Sequence, residues 1–243
     1  MGTHAFDSRG ERRSVARFAL SQHWLWLAGG LGLAFAFPFL LTDVAAVNRD
    51  VFYALYAVMV IALLAAWSRS TGYDLVAAAK RHWIAALLLG IAAGGLLAAT
   101  VLRTEDSTPR PDGLELAAAV AWRGIVYGIT DGLMLSVFPI LVVFAAFAGT
   151  RLDRRFAGKA AIGAIALAAS LAMTAVYHAG YSDFRSEKMR KPLTGDVVWS
   201  VPTLATLNPI GAPIAHATMH TTAVLHSYET DTFLPPTSSR RHE

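Results

Sequence analysis

The feature that most limits what this chain can become is the recurrence of apolar runs near twenty residues long, separated by short charged connections. A helix needs about 20 apolar residues to cross the hydrocarbon of a bilayer. Runs of that kind lie at about Trp24 to Leu41, Val51 to Trp67, Trp83 to Leu102 and Ala160 to Tyr177. Composition agrees: 55% of residues are hydrophobic and only 16% are charged. A chain of 243 residues has room for roughly six spans with short connections. The expected fold class is therefore all-α, a polytopic helical bundle in the lipid bilayer, with no separate soluble domain.

A sequence pI near 9.6 would suggest nucleic acid as the partner of a soluble protein. In a membrane protein, excess Lys and Arg report topology, so no nucleic-acid partner is expected. The connection holding Arg69, Lys80 and Arg81 against Asp74 is net positive, as is the one holding Arg151, Arg154, Arg155 and Lys159 against Asp153. The connections at 42–50 and 103–112 are net negative. The alternation places the positive connections in the cytoplasm. Residues 1–22 form a basic arm with Arg9, Arg12, Arg13 and Arg17. They resemble the start of a signal peptide, with Ala34-Phe35-Ala36 as a small-x-small site, but the apolar run continues to Leu41 and is read as an uncleaved span. Residues 23–226 make one transmembrane domain, and 227–243 a polar tail ending Arg240-Arg241-His242-Glu243. Both termini are expected on the cytoplasmic side of the plasma membrane. Cys is absent, which excludes disulfides, thiolate metal ligands and a cysteine nucleophile.

Residues 114–148 are too long for one straight span, since 35 residues would make a helix of about 50 Å. Gly124, Gly128 and Gly132 offer places to bend, so a partly inserted helix over 114–127 and a span over 133–147 are expected. Gly90, Gly94 and Gly95 give the third span a small-residue face for close helix packing. Trp24, Trp67, Trp83 and Trp199 fall near span ends, where an indole keeps its ring in lipid and its N–H among headgroups. The last apolar stretch is broken by Pro202, Pro209 and Pro213. Asn208-Pro209 reads as an N-cap with proline in the first turn, beginning a helix that runs to His226 after a short half-helix at 197–207.

Ionisable groups inside spans are costly and are functional candidates by default. His216 and His220, at i and i+4, share one helix face and can share a metal; His178 at the end of the preceding span could supply a third ligand. Hydrogen bonding of both rings to neighbouring helices is the competing reading. His226 is read as a solvated boundary residue, and Glu115 as an acid favouring a helix N-terminus. Arg123 is too deep to be an end residue and needs a partner. Asp131 is the acid within the apolar part of 114–148 and could meet Arg123, a histidine or a metal.

Arg123-Gly124, Thr174-Ala175-Val176-Tyr177-His178 and His216-Ala217-Thr218-Met219-His220 occur in an order that resembles the CPBP family of intramembrane proteases, related to CAAX-prenyl endopeptidases. That pattern is Glu-Glu-x-x-x-Arg, then Phe-x-x-x-His, then His-x-x-x-Asn, and the resemblance covers about residues 80–226. It implies a site of Arg123, His178, His216 and His220, with a membrane protein or peptide as substrate. The glutamates that would activate water fall at Ala118 and Ala119, the motif phenylalanine at Thr174 and the last motif residue at His220. The resemblance thus implies either an intramembrane endopeptidase or a catalytically degenerate relative that binds a partner in the old cavity. The residues alone support an alternative: a membrane metal-dependent hydrolase in which His178, His216 and His220 hold a divalent ion such as Zn²⁺, with Asp131 as fourth ligand or base. Haem ligation, a transporter and a non-enzymatic assembly protein complete the range.

Overall fold

In the computed structural model, the backbone is described from Ser8 to Glu229 and the side chains from Gln22 to Glu229. Residues 1–7, the side chains of 8–21 and the tail beyond Glu229 lie outside the description. The described chain is all-helical and contains no strand. Helix α1 runs Ser8–Pro38 and continues through a wider π turn at Phe39–Val44. Helix α2 is Arg49–Thr71, the short α3 is Leu75–Lys80, α4 is Trp83–Thr104 and α5 is Gly113–Phe147. Helix α6 is Phe156–Ala179, α7 is Arg190–Thr206 and α8 is Gly211–His226. Five of them, Gln22–Val44 within α1, then α2, α4, α5 and α6, are long and apolar enough to cross a membrane. The protein is an integral membrane helical bundle whose outer apolar side chains, such as Leu25, Val58, Ile61 and Leu88, remain exposed for lipid.

Local chemistry sets the boundaries. Asn48 caps α2 by accepting the Asp50 N–H at 2.8 Å, and Gly72 ends that helix in the left-handed region at φ 70°. Asp74 then caps α3 by accepting the Ala77 N–H at 2.8 Å.

The stretch expected to bend does not break. Helix α5 is continuous over 35 residues, with π turns at Val120–Val126 and Gly132–Val137. It is also the most buried of the long helices. Its glycines serve close approach to a neighbouring helix. A Cβ added at Gly124, Gly128 or Gly132 would fall 2.7 Å from Thr221 Oγ1, 2.6 Å from Ala217 Cα and 2.5 Å from Pro213 Cα. The three glycines, each four residues apart, form a groove that takes one face of α8 antiparallel. On the other side Gly90 meets Gly211 and Gly94 meets Ala215 and Thr218, so α4 packs parallel to α8 through two of the three glycines expected there, while a Cβ at Gly95 would meet nothing within 4 Å. Helix α8 is thus held between two glycine faces, which fixes the rotation of its histidines.

The proline-broken stretch is a reversal, not a single interrupted pass. Helix α7 begins at Arg190, beside Glu105, to which Lys191 forms a 2.8 Å ion pair. At the far end Asn208, wholly buried, accepts the Ile210 N–H at 2.8 Å and donates to the carbonyls of Ala78, Ala79 and Arg81 at the end of α3. Leu207 takes the left-handed turn at φ 52°. Helix α8 returns to the starting face, where His226 Nε2 lies 3.0 Å from the Glu105 carbonyl. Gln22 bonds the Ser70 carbonyl and the Glu229 N–H bonds Thr108 Oγ1, so the two ends of the described side-chain region lie at opposite ends of the bundle. The last apolar stretch thus runs along the bundle twice, as two antiparallel helices.

Candidate functional site

The four helices α4, α5, α6 and α7, together with α8, enclose a cavity of about 420 Å³. Its wall is largely apolar, from Leu96, Leu97, Leu135, Val198 and Met219, and its polar wall carries Asp131, His178, His216 and His220. Thr104, Arg190 and Lys191, all exposed, line it at the end of the bundle that holds the 103–112 connection.

Asp131, His216 and His220 are buried, and one potential ligand atom from each lies within 4.8 Å of the others. His220 Nε2 approaches Asp131 Oδ2 at 3.4 Å. The helical spacing of four puts both rings on one face of α8, with centroids 6.1 Å apart. Neither nitrogen of either ring has a hydrogen-bond partner, and Asp131 Oδ1 also lacks one. Buried polar atoms are normally satisfied, so this concentration of orphans marks the place where the protein has donors to spare for a ligand.

The donor set fits a divalent metal. Zinc held at about 2.0–2.2 Å in a tetrahedron sets its ligand atoms about 3.3–3.5 Å apart. The Asp131–His220 separation of 3.4 Å already has that value, and the remaining approach requires a small side-chain adjustment. Two histidines and one carboxylate are a recurrent catalytic set that leaves a coordination position open.

His178 lines the same cavity but does not join the trio. Its Nδ1 lies 2.8 Å from the Thr174 carbonyl. A carbonyl only accepts, so Nδ1 carries the proton and a neutral ring presents Nε2 as an acceptor. Arg123 stands apart from this cavity. Its Nε and Nη2 donate to Asp50 Oδ1 and Oδ2 at 3.2 and 3.1 Å, and Nη1 donates to the Tyr228 hydroxyl at 3.0 Å. It ties α5 to α2 and to the end of α8, and Asp131 pairs with His220 instead of with this arginine. Ala118 is exposed and Ala119 buried, and neither lines the cavity; the acid that does is Asp131.

Several site residues carried no motif. The Tyr181 hydroxyl donates to that of Tyr177 at 2.8 Å, and the Tyr177 and Tyr127 hydroxyls are 2.9 Å apart, giving a buried chain of phenols along the cavity wall. Tyr127 meets His220 edge-on at 4.9 Å between centroids. Trp199 is not a headgroup anchor: it is buried, with its ring 4.2 Å from that of His216. Trp67 is buried as well and donates to His23 Nδ1 at 3.1 Å.

No protein-family model matches this chain, and no curated protein and no solved structure matches it either.

Proposed function

We propose that this protein is a membrane-embedded metal-dependent hydrolase, with Asp131, His216 and His220 holding a divalent ion such as Zn²⁺. The observation that carries this reading is the convergence of three buried ligand atoms within 4.8 Å at the wall of a cavity large enough for a substrate. Zinc, when bound to such a set, lowers the pKa of a coordinated water to about 7 and so supplies the nucleophile that alanines at 118 and 119 cannot generate.

The chain's own residues provide the rest. His178, whose Nε2 accepts, is placed to take a proton from an attacking water and return it to a leaving group. Of the phenols of Tyr127 and Tyr177, the one that does not donate to the other keeps its proton free for a developing oxyanion. Trp199 and Leu97, both buried in the wall, keep water from their side of the cavity, which strengthens each of these interactions. The positive connections at 72–82 and 148–155 lie at the other end of the bundle from the 103–112 connection, so the positive-inside tendency directs the cavity mouth away from the cytoplasm.

A CPBP-like scaffold is a second reading, favoured by one observation: His178, His216 and His220 line a single cavity. On that reading a membrane protein or peptide occupies the cavity, and Asp131 replaces the lost glutamate pair. Metal content separates the two. Wild-type protein purified in detergent is expected to carry near one zinc per chain, and His216→Ala and Asp131→Asn to carry almost none while remaining monodisperse. Metal-free wild type after expression with added zinc would rule out the metal centre and leave the second reading.

A further inference from the structure

A second group of buried oxygens, from α5, α6 and α7, lies behind the histidine cavity and contains no nitrogen ligand. Ser136, Ser170, Thr174, Asp196 and Ser200 are each 0% exposed. Ser170 Oγ lies 2.8 Å from the Leu135 carbonyl oxygen, 2.9 Å from Asp196 Oδ1 and 2.9 Å from Ser200 Oγ. Ser200 Oγ lies a further 2.9 Å from Asp196 Oδ1 and 3.2 Å from Ser136 Oγ. Trp199 Nε1 donates to the same Oδ1 at 2.7 Å. Asp196 Oδ2 and Thr174 Oγ1 have no hydrogen-bond partner.

Proton counting makes this arrangement unusual. Each serine hydroxyl brings one proton. Ser136, Ser170 and Ser200 together cannot place a proton on every one of the oxygen–oxygen lines Ser170–Leu135, Ser170–Asp196, Ser170–Ser200, Ser200–Asp196 and Ser200–Ser136. Protonating the carboxyl adds one hydrogen and still leaves one line without any. Two oxygens at that distance with no hydrogen between them repel, whereas a cation among them converts the same approach into coordination.

Charge points the same way. Among the described residues Asp196 has no ion-pair partner, and an ionised carboxylate in an apolar bundle is costly without one. Hydroxyl, carboxylate and carbonyl oxygens are ligands for hard cations. One carboxylate balances one positive charge, whereas a divalent ion would leave a surplus charge in a low-dielectric interior. The Leu135 carbonyl comes from the π turn Gly132–Val137. Carbonyls of irregular helix recur in sodium sites of membrane proteins.

We propose that Asp196, Ser170, Ser200, Thr174 and the Leu135 carbonyl form a site for a sodium ion, distinct from the histidine–aspartate centre. Trp199 joins the two, since its Nε1 holds Asp196 Oδ1 at 2.7 Å while its ring lies 4.2 Å from His216. The sodium site does not depend on a metal at the histidines.

The test is thermal unfolding of the full-length protein in detergent at pH 8, in sodium chloride against choline chloride at equal ionic strength. The expected result is a saturable rise in melting temperature with sodium and none with choline. Asp196→Asn should abolish the rise, and Ser200→Ala should move its midpoint to about tenfold higher sodium; the serine variant keeps the test readable if the aspartate variant fails to fold. Zinc content measured alongside should not change with sodium. Identical wild-type melting in the two salts would overturn the proposal and leave a purely hydrogen-bonded acid. A sodium response retained unchanged in Ser200→Ala would overturn it equally, by assigning the effect to another place.

Discussion

Gly128 of α5 lies against the backbone of Ala217 in α8, so closely that a Cβ at position 128 would fall 2.6 Å from the Ala217 Cα. A backbone atom cannot swing aside as a flexible side chain can. Gly128→Val must therefore push α8 out of the groove and carry His216 and His220 away from Asp131. A loss of at least about 1–3 kcal/mol is expected, the usual cost of overpacking a well-filled interior. Thermal melting in detergent reads it. Gly163→Ala on α6 is the control, because a Cβ there meets nothing within 4 Å, and helix propensity predicts a gain of roughly 0.5–1 kcal/mol. Equal losses in the two variants would show that the groove does not hold α8.

How much of this was legible in the sequence differs from residue to residue. The spans could be read because bilayer thickness imposes a length on apolar runs, and His216 with His220 because helical spacing puts them on one face. Gly90 and Gly94 were read correctly as a packing face. For Gly124, Gly128 and Gly132 the close approach to α8 is not legible, because a bend and a close approach call for the same residue type and what reveals the second is which helix lies opposite. The partner of Asp131 depended on the rotation of α5, which that groove sets. Asp131 stands beside Gly132 and three residues after Gly128, a position that places it at the edge of the groove. Asp196 is one of several charges between 181 and 196, and nothing local reveals that a helix begins at Arg190 and carries it into the bundle. Arg123 was assigned to the histidines through a motif, while its partner Asp50 sits 73 residues earlier, beyond the reach of spacing arguments.

The Arg123–Asp50 pair yields a prediction that separates scaffold from site. The guanidinium grips both carboxylate oxygens, with the two side chains 21% and 45% exposed. Partial exposure and bidentate geometry together suggest a contribution of about 1 kcal/mol. Arg123→Met and Asp50→Asn should each lower stability by about that much, and the double variant by less than their sum. Metal content should stay at the wild-type level in all three. Loss of metal in Arg123→Met, in protein that remains folded, would return the arginine to the functional site.

Metal removal tests how the centre is supported. Histidine ligands ordinarily pass their second N–H to an acceptor, and loss of that acceptor costs about 10–100-fold in affinity. Apart from the 3.4 Å approach of His220 Nε2 to Asp131 Oδ2, the ring nitrogens of His216 and His220 meet no hydrogen-bond partner, so the nitrogen left over on each ring has no acceptor. Dialysis of the purified protein against EDTA is expected to strip the ion within hours, and added zinc to restore it. Elemental analysis before and after dialysis gives the answer. An ion that survives prolonged EDTA would mean that the rings are braced by contacts absent from this arrangement.

Tyr177 is the middle member of the phenol chain, within 2.9 Å of the Tyr127 hydroxyl and 2.8 Å of the Tyr181 hydroxyl. Tyr177→Phe removes one oxygen and leaves both neighbours without this partner in a buried wall. Leaving a buried polar group unsatisfied costs about 1–3 kcal/mol, so the loss should exceed that of Tyr181→Phe, which leaves Tyr127 and Tyr177 still paired. The ring of Tyr177 also stacks on Tyr56 at 5.2 Å between centroids, and phenylalanine keeps that contact. A destabilisation seen on thermal melting can then be assigned to the hydroxyl and not to packing. If the two variants melt together, the three hydroxyls do not act as a chain, and the case for Tyr127 or Tyr177 as a donor to an oxyanion loses its structural basis.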